Sequence, residues 1–349
     1  MHVTVLVPDI HDRPTGGNIY NRRIITEVRR HDPVEVVPWR PEAEGQPSID
    51  AADDVALVVD SLLVRRVAPL RTLRRAHPTA TLVLLAHYLH CIDPNERDAP
   101  AADTERAVLP LFDGVVTTSG YVRDALVEEG VPDDRVSVVP PGLDDAYRAP
   151  VPERLVRGAP RLLTVANLLP GKGLRVLVQG LNTLADVDWT WTLVGDDALN
   201  PDFANALRAD LRDSVIADRV TCTGAVPPDE LRVQYDTSDV FVLPSQFETC
   251  SMATREAMAR GLPIVAHEVG GLPHNLGDAA ASGAAPAGHL VPPDQPGGLA
   301  DALRTLLTDA TARAQMGSAA RERSRVFPTW AEAGGRFRAA VQSLSSHGR

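Results

Sequence analysis

Six short runs of Val and Leu break up the first 140 residues: Val3–Val7, Val34–Val37, Val55–Val59, Leu82–Leu85, Val115–Thr118 and Val136–Val139. Each is apolar along its length rather than alternating, the pattern of strands buried on both faces. Helix-length stretches separate them, near 18–30, 61–76, 100–112 and 120–129. Strands spaced by helices predict βαβ units and a parallel sheet. Pro69 divides the second stretch and predicts two short helices there. Residues 140–160, PPGLDDAYRAPVPERLVRGAP, are rich in Pro, Gly and charge and read as a linker. The alternation then resumes, with strands at Arg161–Ala166, Thr190–Val194, Val220–Thr223, Val240–Leu243, Ile264–Ala266 and His289–Val291. Helices fit near 173–185, 201–214, 228–236, 252–260, 297–308 and 311–325, and a last one runs from Trp330 to about Leu344. The chain therefore reads as α/β, with two Rossmann-like, doubly wound parallel sheets. Its expected domains are 1–150 and 161–329, joined by a linker at 151–160, with the helix near 330–345 packing back on the first. A length of 349 residues suits two domains.

Charge and cysteine usage narrow the partners. A net charge of −11 argues against nucleic acid, which needs clustered cations. Runs such as Leu82–Ala86 are far below the about 18–20 residues that span a bilayer. The opening MHVTVLVPDI has no basic leader and reads as a strand. Cys91, Cys222 and Cys250 are too few for a disulfide framework and predict a reducing, cytoplasmic compartment. Of 35 basic residues, 34 are Arg and one is Lys172. A lysine surviving in such a chain suggests a site that wants a compact ammonium rather than a planar fork.

Sheets of this kind bind ligands beyond the carboxyl ends of their strands. There the segment VFVLPSQFETCSMATREAMARGLP places Glu248 in a loop and starts a helix near Ser251 or Met252. Ser before the helix and Gly261 after it are expected caps. Glu256 lies early on that helix. Free amides and the helix dipole there favour an anion such as a diphosphate. Two surface carboxylates complementing the dipole would give the same pattern. In TVANLLPGKGLRVLV, Lys172 opens another helix, where a cation is unfavourable unless an anion sits between it and the amides. Asn167, at the strand end, can donate to that anion; an ordinary loop lysine is the alternative. In PTGGNIYNRR, Gly16 and Gly17 open a helix and let the backbone approach a ligand closely, as a simple tight turn also would. His87 ends a strand in LLAHYLHCID, placed to orient a ligand or transfer a proton, or to serve as a structural histidine. His87, His90, Cys91 and Asp93 fit no standard zinc spacing, so no metal is expected. HEVGGLP, residues 267–273, offers a second glycine pair for close backbone approach. Arg65, Arg66, Arg71, Arg74 and Arg75 lie among Leu62, Leu63, Val67, Leu70 and Leu73. They form a solvated helix face or a contact with anionic lipid.

Taken together, these segments resemble the GT4 family of retaining glycosyltransferases, which has the GT-B fold of two Rossmann-like domains facing a cleft. The resemblance is strongest over 160–340. Glu248 and Glu256 look like the family's Glu-x7-Glu signature, followed by EAMARGLP. GAVPPDELRVQYDTSDVFVLPS, VGGLP and GHLVPPDQPGGLADALRTLL are similar to the family pattern as well. The resemblance implies that Glu256 binds the ribose of a nucleotide-diphospho-sugar and that Glu248 touches the transferred sugar. It implies that the amides of Cys250, Ser251 and Met252 hold sugar and phosphate, and that Lys172 neutralises the departing diphosphate. Gly16 and Gly17 match the glycine-rich N-terminal loop, and His87 the catalytic-site histidine of the first domain. Base selection would rest near Thr223–Val226. Closure about 140–160 and the final helix would assemble the site. The chain departs from the pattern where Asn167 replaces a common Arg and where Thr249-Cys250-Ser251 replaces Gly-Phe-Gly. His274 stands where an acid is common. The expected activity is retaining, metal-independent transfer without a cofactor, to an acceptor that is a small molecule or lipid-linked. A nucleotide-sugar isomerase or hydrolase of the same fold, or a non-catalytic binder, stays open.

Overall fold

In the computed structural model of the chain, the described residues are 2–8, 13–40, 47, 49, 55–151, 158–277, 285–295 and 297–347. They divide into two compact units, 1–142 with 328–349 and 143–327. Most of the predicted 151–160 linker lies outside the described residues.

The first unit is built on strands β1 (His2–Val7), β2 (Val34–Pro38), β3 (Val55–Asp60), β4 (Thr81–Ala86), β5 (Gly114–Thr117) and β6 (Val136–Val138). All pair in parallel, in the order β2-β1-β3-β4-β5-β6. Helices α1 (Gly16–Val28), α2 (Val67–Ala76), α3 (Pro100–Val108) and α4 (Gly120–Glu128) cover the sheet. The continuous Val/Leu runs fit this layering: every residue of β3 is buried, and Leu82 to Ala86 of β4 are too. The 61–76 stretch does split in two, but not at Pro69. A 3-10 turn occupies Ser61–Leu63, and Pro69 sits inside the first turn of α2, where its missing N–H has no helical partner to lose. Leu63, Leu70 and Leu73 face the core. Arg74 is spent on Asp113 through two bonds of 2.8 and 2.9 Å. Arg65, Arg66, Arg71 and Arg75 stay exposed, so this surface is cationic without an apolar face of its own.

The helix Trp330–His347 belongs to this unit and packs along α1. Phe337, Val341 and Leu344 are buried. The contact is close because glycines make room. A Cβ on Gly334 would lie 2.4 Å from the Glu27 side chain of α1; beyond α1, one on Gly114 of β5 would lie 2.3 Å from Leu344, and one on Gly142 would lie 2.4 Å from the Trp330 backbone nitrogen. Arg338 adds a 2.5 Å bond to the buried Asp32.

The second unit opens with the short helix α5 (Asp145–Arg148). It continues with β7 (Arg161–Val165), α6 (Leu174–Asn182), β8 (Thr190–Val194), α7 (Pro201–Arg212), β9 (Val220–Gly224), α8 (Pro228–Thr237) and β10 (Val240–Leu243). Then follow α9 (Met252–Ala259), β11 (Ile264–His267), α10 (Leu272–Leu276), β12 (Gly288–Val291), α11 (Gly298–Thr308) and α12 (Ala310–Ser324). Its six strands are again parallel, in the order β12-β11-β10-β7-β8-β9.

Residues 143–150, assigned by sequence to the first domain, belong here. Leu143 and Tyr147 are part of the second unit's apolar core. Arg260, 1% exposed, holds the segment. Its Nη1 donates to the carbonyls of Tyr147 at 3.2 Å and Ala149 at 2.8 Å, its Nη2 to Pro150 at 3.3 Å, and its Nε to Asp236 at 2.6 Å. The far end of the unit is fastened in a similar way. Arg148 donates to the Phe327 carbonyl at 2.6 Å, and Arg255 stacks 4.2 Å over the Phe327 ring.

Candidate active site

In the second sheet the chain runs outward from β7 through β8 to β9, then returns to β10 on the other side of β7. The crevice at this reversal, beyond the carboxyl ends of β7 and β10, is where open α/β sheets bind ligands. Both residues that the sequence singles out most strongly lie there. Lys172 closes the 3-10 turn Pro170–Lys172 after β7, one turn ahead of α6. Glu248 sits in the loop between β10 and α9. Lys172 Nζ donates to Glu248 Oε1 at 2.7 Å, and Ser245 Oγ donates to the same oxygen at 2.7 Å. In the chain itself the anion facing the ammonium is thus a carboxylate. Gly173 makes the approach of the two loops possible. It has φ of +65°, and a Cβ there would lie 1.9 Å from the Pro244 carbonyl oxygen. Gln246 N donates to Gly171 O at 2.9 Å, which ties the loops together.

The second glycine pair does allow close backbone approach, and what approaches is the protein's own backbone. A Cβ on Gly270 would meet the Glu248 carbonyl oxygen at 2.0 Å, and one on Gly271 would meet that of Thr249 at 2.2 Å. Gly271 N donates to Glu248 O at 2.8 Å. The buried amide of Asn275 donates to the Cys250 carbonyl. Cys250 itself is buried, which pushes its thiol pKa up. The turn after β7, the loop after β11 and helix α10 therefore fix the peptide run leading into α9.

At its end Ser251 caps α9, accepting from Thr254 N at 3.4 Å. Ser251 is the non-glycine residue with positive φ among the described residues, at +56°. A side chain there costs about 1–2 kcal/mol relative to glycine, whereas giving up a Ser cap for Gly costs a few tenths. Ser251→Gly is accordingly expected to stabilise the second unit by about 1 kcal/mol. Differential scanning calorimetry should show its transition about 2–4 °C higher. An unchanged or lower Tm would mean that the left-handed backbone carries no strain here.

Glu256, in the second turn of α9, accepts from the buried Tyr235 hydroxyl at 2.9 Å. Burial and the Glu256 charge push the Tyr235 pKa well up, so the phenol remains a donor. Asn167 is used at least in part for structure, its Oδ1 accepting from Asp196 N at 3.2 Å. Val226 follows β9, half-buried at the margin of the core.

The first sheet reverses between β1 and β3. Around that point lies a cluster in which the sequence singles out only His87 and Gly17. His87 follows β4, and its Nε2 is 2.7 Å from Asn21 Oδ1. Asn21 Nδ2 donates to Asp60 Oδ2 at 2.6 Å. The His87 backbone N–H donates to Ser61 Oγ at 3.2 Å. Tyr20 meets the ring edge-on, with centroids 5.1 Å apart. Gly17 packs against the same ring, where an added Cβ would be 3.1 Å from Cδ2. The space it provides is thus for a side chain of this unit, while Gly16 faces open space. His90, Cys91 and Asp93 turn elsewhere. His90 bonds Glu105 at 2.8 Å, the Cys91 thiol is pushed up to about 12 by burial and Glu105, and Asp93 accepts from Tyr88 at 3.0 Å. Asp60 lies in no motif, and Asn21 lies in the PTGGNIYNRR segment without being singled out there. Their signal was the spacing rule alone, as the first strand-following helix and the end of the adjacent strand.

Comparison with known proteins gives these sites a context. Residues 159–309 match the family model "Glycosyl transferases group 1", and residues 64–147 match "Glycosyltransferase Family 4". D-inositol 3-phosphate glycosyltransferase of Corynebacterium glutamicum is 31% identical over 272 residues, 72% of this chain and 63% of that protein. The chain thus spans less than two thirds of that relative. The enzyme of the same name from Paenarthrobacter aurescens is 30% identical over 288 residues, 76% of this chain and 67% of that protein. Among solved structures, Anabaena HepE in complex with UDP-glucose superposes with a TM-score of 0.73 at 17% identity, covering 99% of this chain and all of that one. No helix among the described residues is long and apolar enough to cross a membrane. Two parallel six-stranded α/β units, the two family matches and the relatives agree: the chain belongs to the GT4 family of glycosyltransferases and has the GT-B fold.

Proposed function

We propose that the chain is a retaining, metal-independent glycosyltransferase that takes a sugar from a nucleotide-diphospho-sugar. The observation that carries this reading is the 2.7 Å pair of Lys172 and Glu248 at the strand reversal of the second sheet. It puts an ammonium beside a carboxylate in the loop that leads into α9. A diphosphate takes the ammonium from Glu248, and Glu248 then accepts from sugar hydroxyls. The amides of Cys250, Ser251 and Met252 face the phosphate and the sugar, and Glu256 accepts from the ribose hydroxyls. As the bond from the anomeric carbon to the diphosphate oxygen breaks, Lys172 and the amides stabilise the charge that develops on the leaving group. They supply the role that a divalent cation would otherwise fill. The acceptor oxygen bonds to the anomeric carbon on the face the diphosphate leaves, and its proton passes to the diphosphate.

The relatives and the structural neighbour direct the choice of substrates. UDP is the first base to try, because the HepE structure holds UDP-glucose. An inositol phosphate is the first acceptor, because both relatives are named for D-inositol 3-phosphate. Calorimetric titration with UDP, GDP, ADP, CDP and dTDP, each with and without magnesium, tests the donor site. One base should bind well above the others, with the same affinity in both conditions. Binding only with magnesium would remove the metal-independent mechanism. No binding by any of the five, or by their nucleotide sugars, would remove the transferase reading. An inverted anomeric centre in the product would remove the retaining mechanism.

A further inference from the structure

We propose that Asp60 and Asn21 are positioning residues that hold His87 in a single tautomer, with its proton on Nε2, and present Nδ1 as an acceptor for a ligand hydroxyl. Asp60 is 1% exposed at the end of β3, and its Oδ1 already accepts from Leu62 N at 2.8 Å. A carboxylate can only accept, so the Asn21 group 2.6 Å from Oδ2 is the amide nitrogen. That leaves Asn21 Oδ1 facing His87 Nε2 at 2.7 Å. A carbonyl oxygen also only accepts, so Nε2 carries the hydrogen. In the neutral ring Nδ1 then carries the lone pair. Nδ1 has no hydrogen-bond partner among the described residues, and it is not among the sealed polar atoms. Tyr20 and Gly17 pack against the ring, and Ser61 holds the His87 backbone N–H. Two acceptor-only groups in series thus set which nitrogen faces the ligand, and make it a reader of hydroxyls rather than of phosphate.

The charge state is consistent with that role. Burial lowers the His87 pKa, and Asp60, the charged group that acts on it, offsets this only in part. The ring is therefore neutral near pH 7. It loses its acceptor as pH falls through a value below the ordinary imidazole range.

Only the identity of the hydroxyl depends on the transferase reading, since donor sugar and acceptor both carry hydroxyls. The tautomer can be read without any substrate, from the imidazole nitrogen shifts of the full chain labelled at histidine and assigned with His87→Gln. The expected spectrum has Nε2 protonated and Nδ1 bare. A protonated Nδ1 in the neutral ring would overturn the proposal. Asp60→Asn keeps the shape but lets both amides turn, so a mixture of tautomers is expected; an unchanged spectrum would remove Asp60 from the role. Asn21→Asp puts a second carboxylate beside the ring, and the pH at which Nδ1 gains its proton should rise by about one unit. No rise would remove Asn21. Titration of Asp60→Asn with UDP and with UDP-glucose assigns the hydroxyl. UDP-glucose binding weakened 5–10-fold with UDP unchanged places it on the donor sugar, and an effect on the acceptor KM alone places it on the acceptor. If neither changes while the tautomer shifts, Nδ1 reads no ligand and that half of the proposal falls. If the wild type binds no nucleotide at all, the transferase reading fails and the tautomer result stands.

Discussion

Lys172→Ala is expected to weaken nucleoside diphosphate binding about 10–100-fold, the loss of one charge-assisted hydrogen bond worth about 1.5–3 kcal/mol. The loss in kcat should be larger, about 100–1,000-fold, because charge on the leaving diphosphate grows toward the transition state. Lys172→Arg restores the charge in a chain whose other 34 basic residues are all Arg. It should recover only part of the affinity, because a planar fork does not fit where a thin stem reaches Glu248 from a tight turn. Isothermal titration and steady-state turnover of the three proteins decide the matter. If Lys172→Ala binds and turns over like the wild type, the donor site lies elsewhere.

The second large effect concerns folding. Arg260→Ala should destabilise the second unit by about 2–4 kcal/mol, because several carbonyls of residues 146–150 lose their donor and Asp236 keeps only Arg232, at 3.0 Å, as its counter-ion among the described residues. Calorimetric unfolding should show a drop of roughly 10 °C. The pair Arg260→Met with Asp236→Leu separates the two contributions. It removes the half-paired carboxylate but not the need of residues 146–150 for donors, so it should regain only part of the loss. Full recovery would show that the carbonyl contacts contribute little.

These residues also mark how far the sequence could be read. Parallel sheets with buried strands announce themselves as unbroken Val/Leu runs, so both units were legible. The boundary at 143–150 was not. Its composition is that of a linker, and what fastens it is an arginine more than a hundred residues later. Lys172 and Glu248 were legible because they follow strands directly and differ from their surroundings in kind. That they meet each other could not be read from spacing, because the contact depends on Gly173 lying against Pro244. The same holds for Gly270 and Gly271: close approach was predictable, but not the surface approached. Asn21 and Asp60 are common residues in ordinary positions, and only the strand order of the first sheet brings them to His87.

The way the closing helix completes the first unit has a consequence for how the protein is made. The second unit is one unbroken stretch of chain, whereas the first needs residues from both sides of it. On a ribosome, residues 143–327 can finish folding as soon as they emerge. The surface of α1 must wait for Phe337, Val341 and Leu344, which are synthesised afterwards. During that interval the first unit exposes apolar surface that the mature protein hides. A nascent chain stalled just short of Trp330 should therefore recruit holding chaperones through its earliest residues, while its second unit already resists protease.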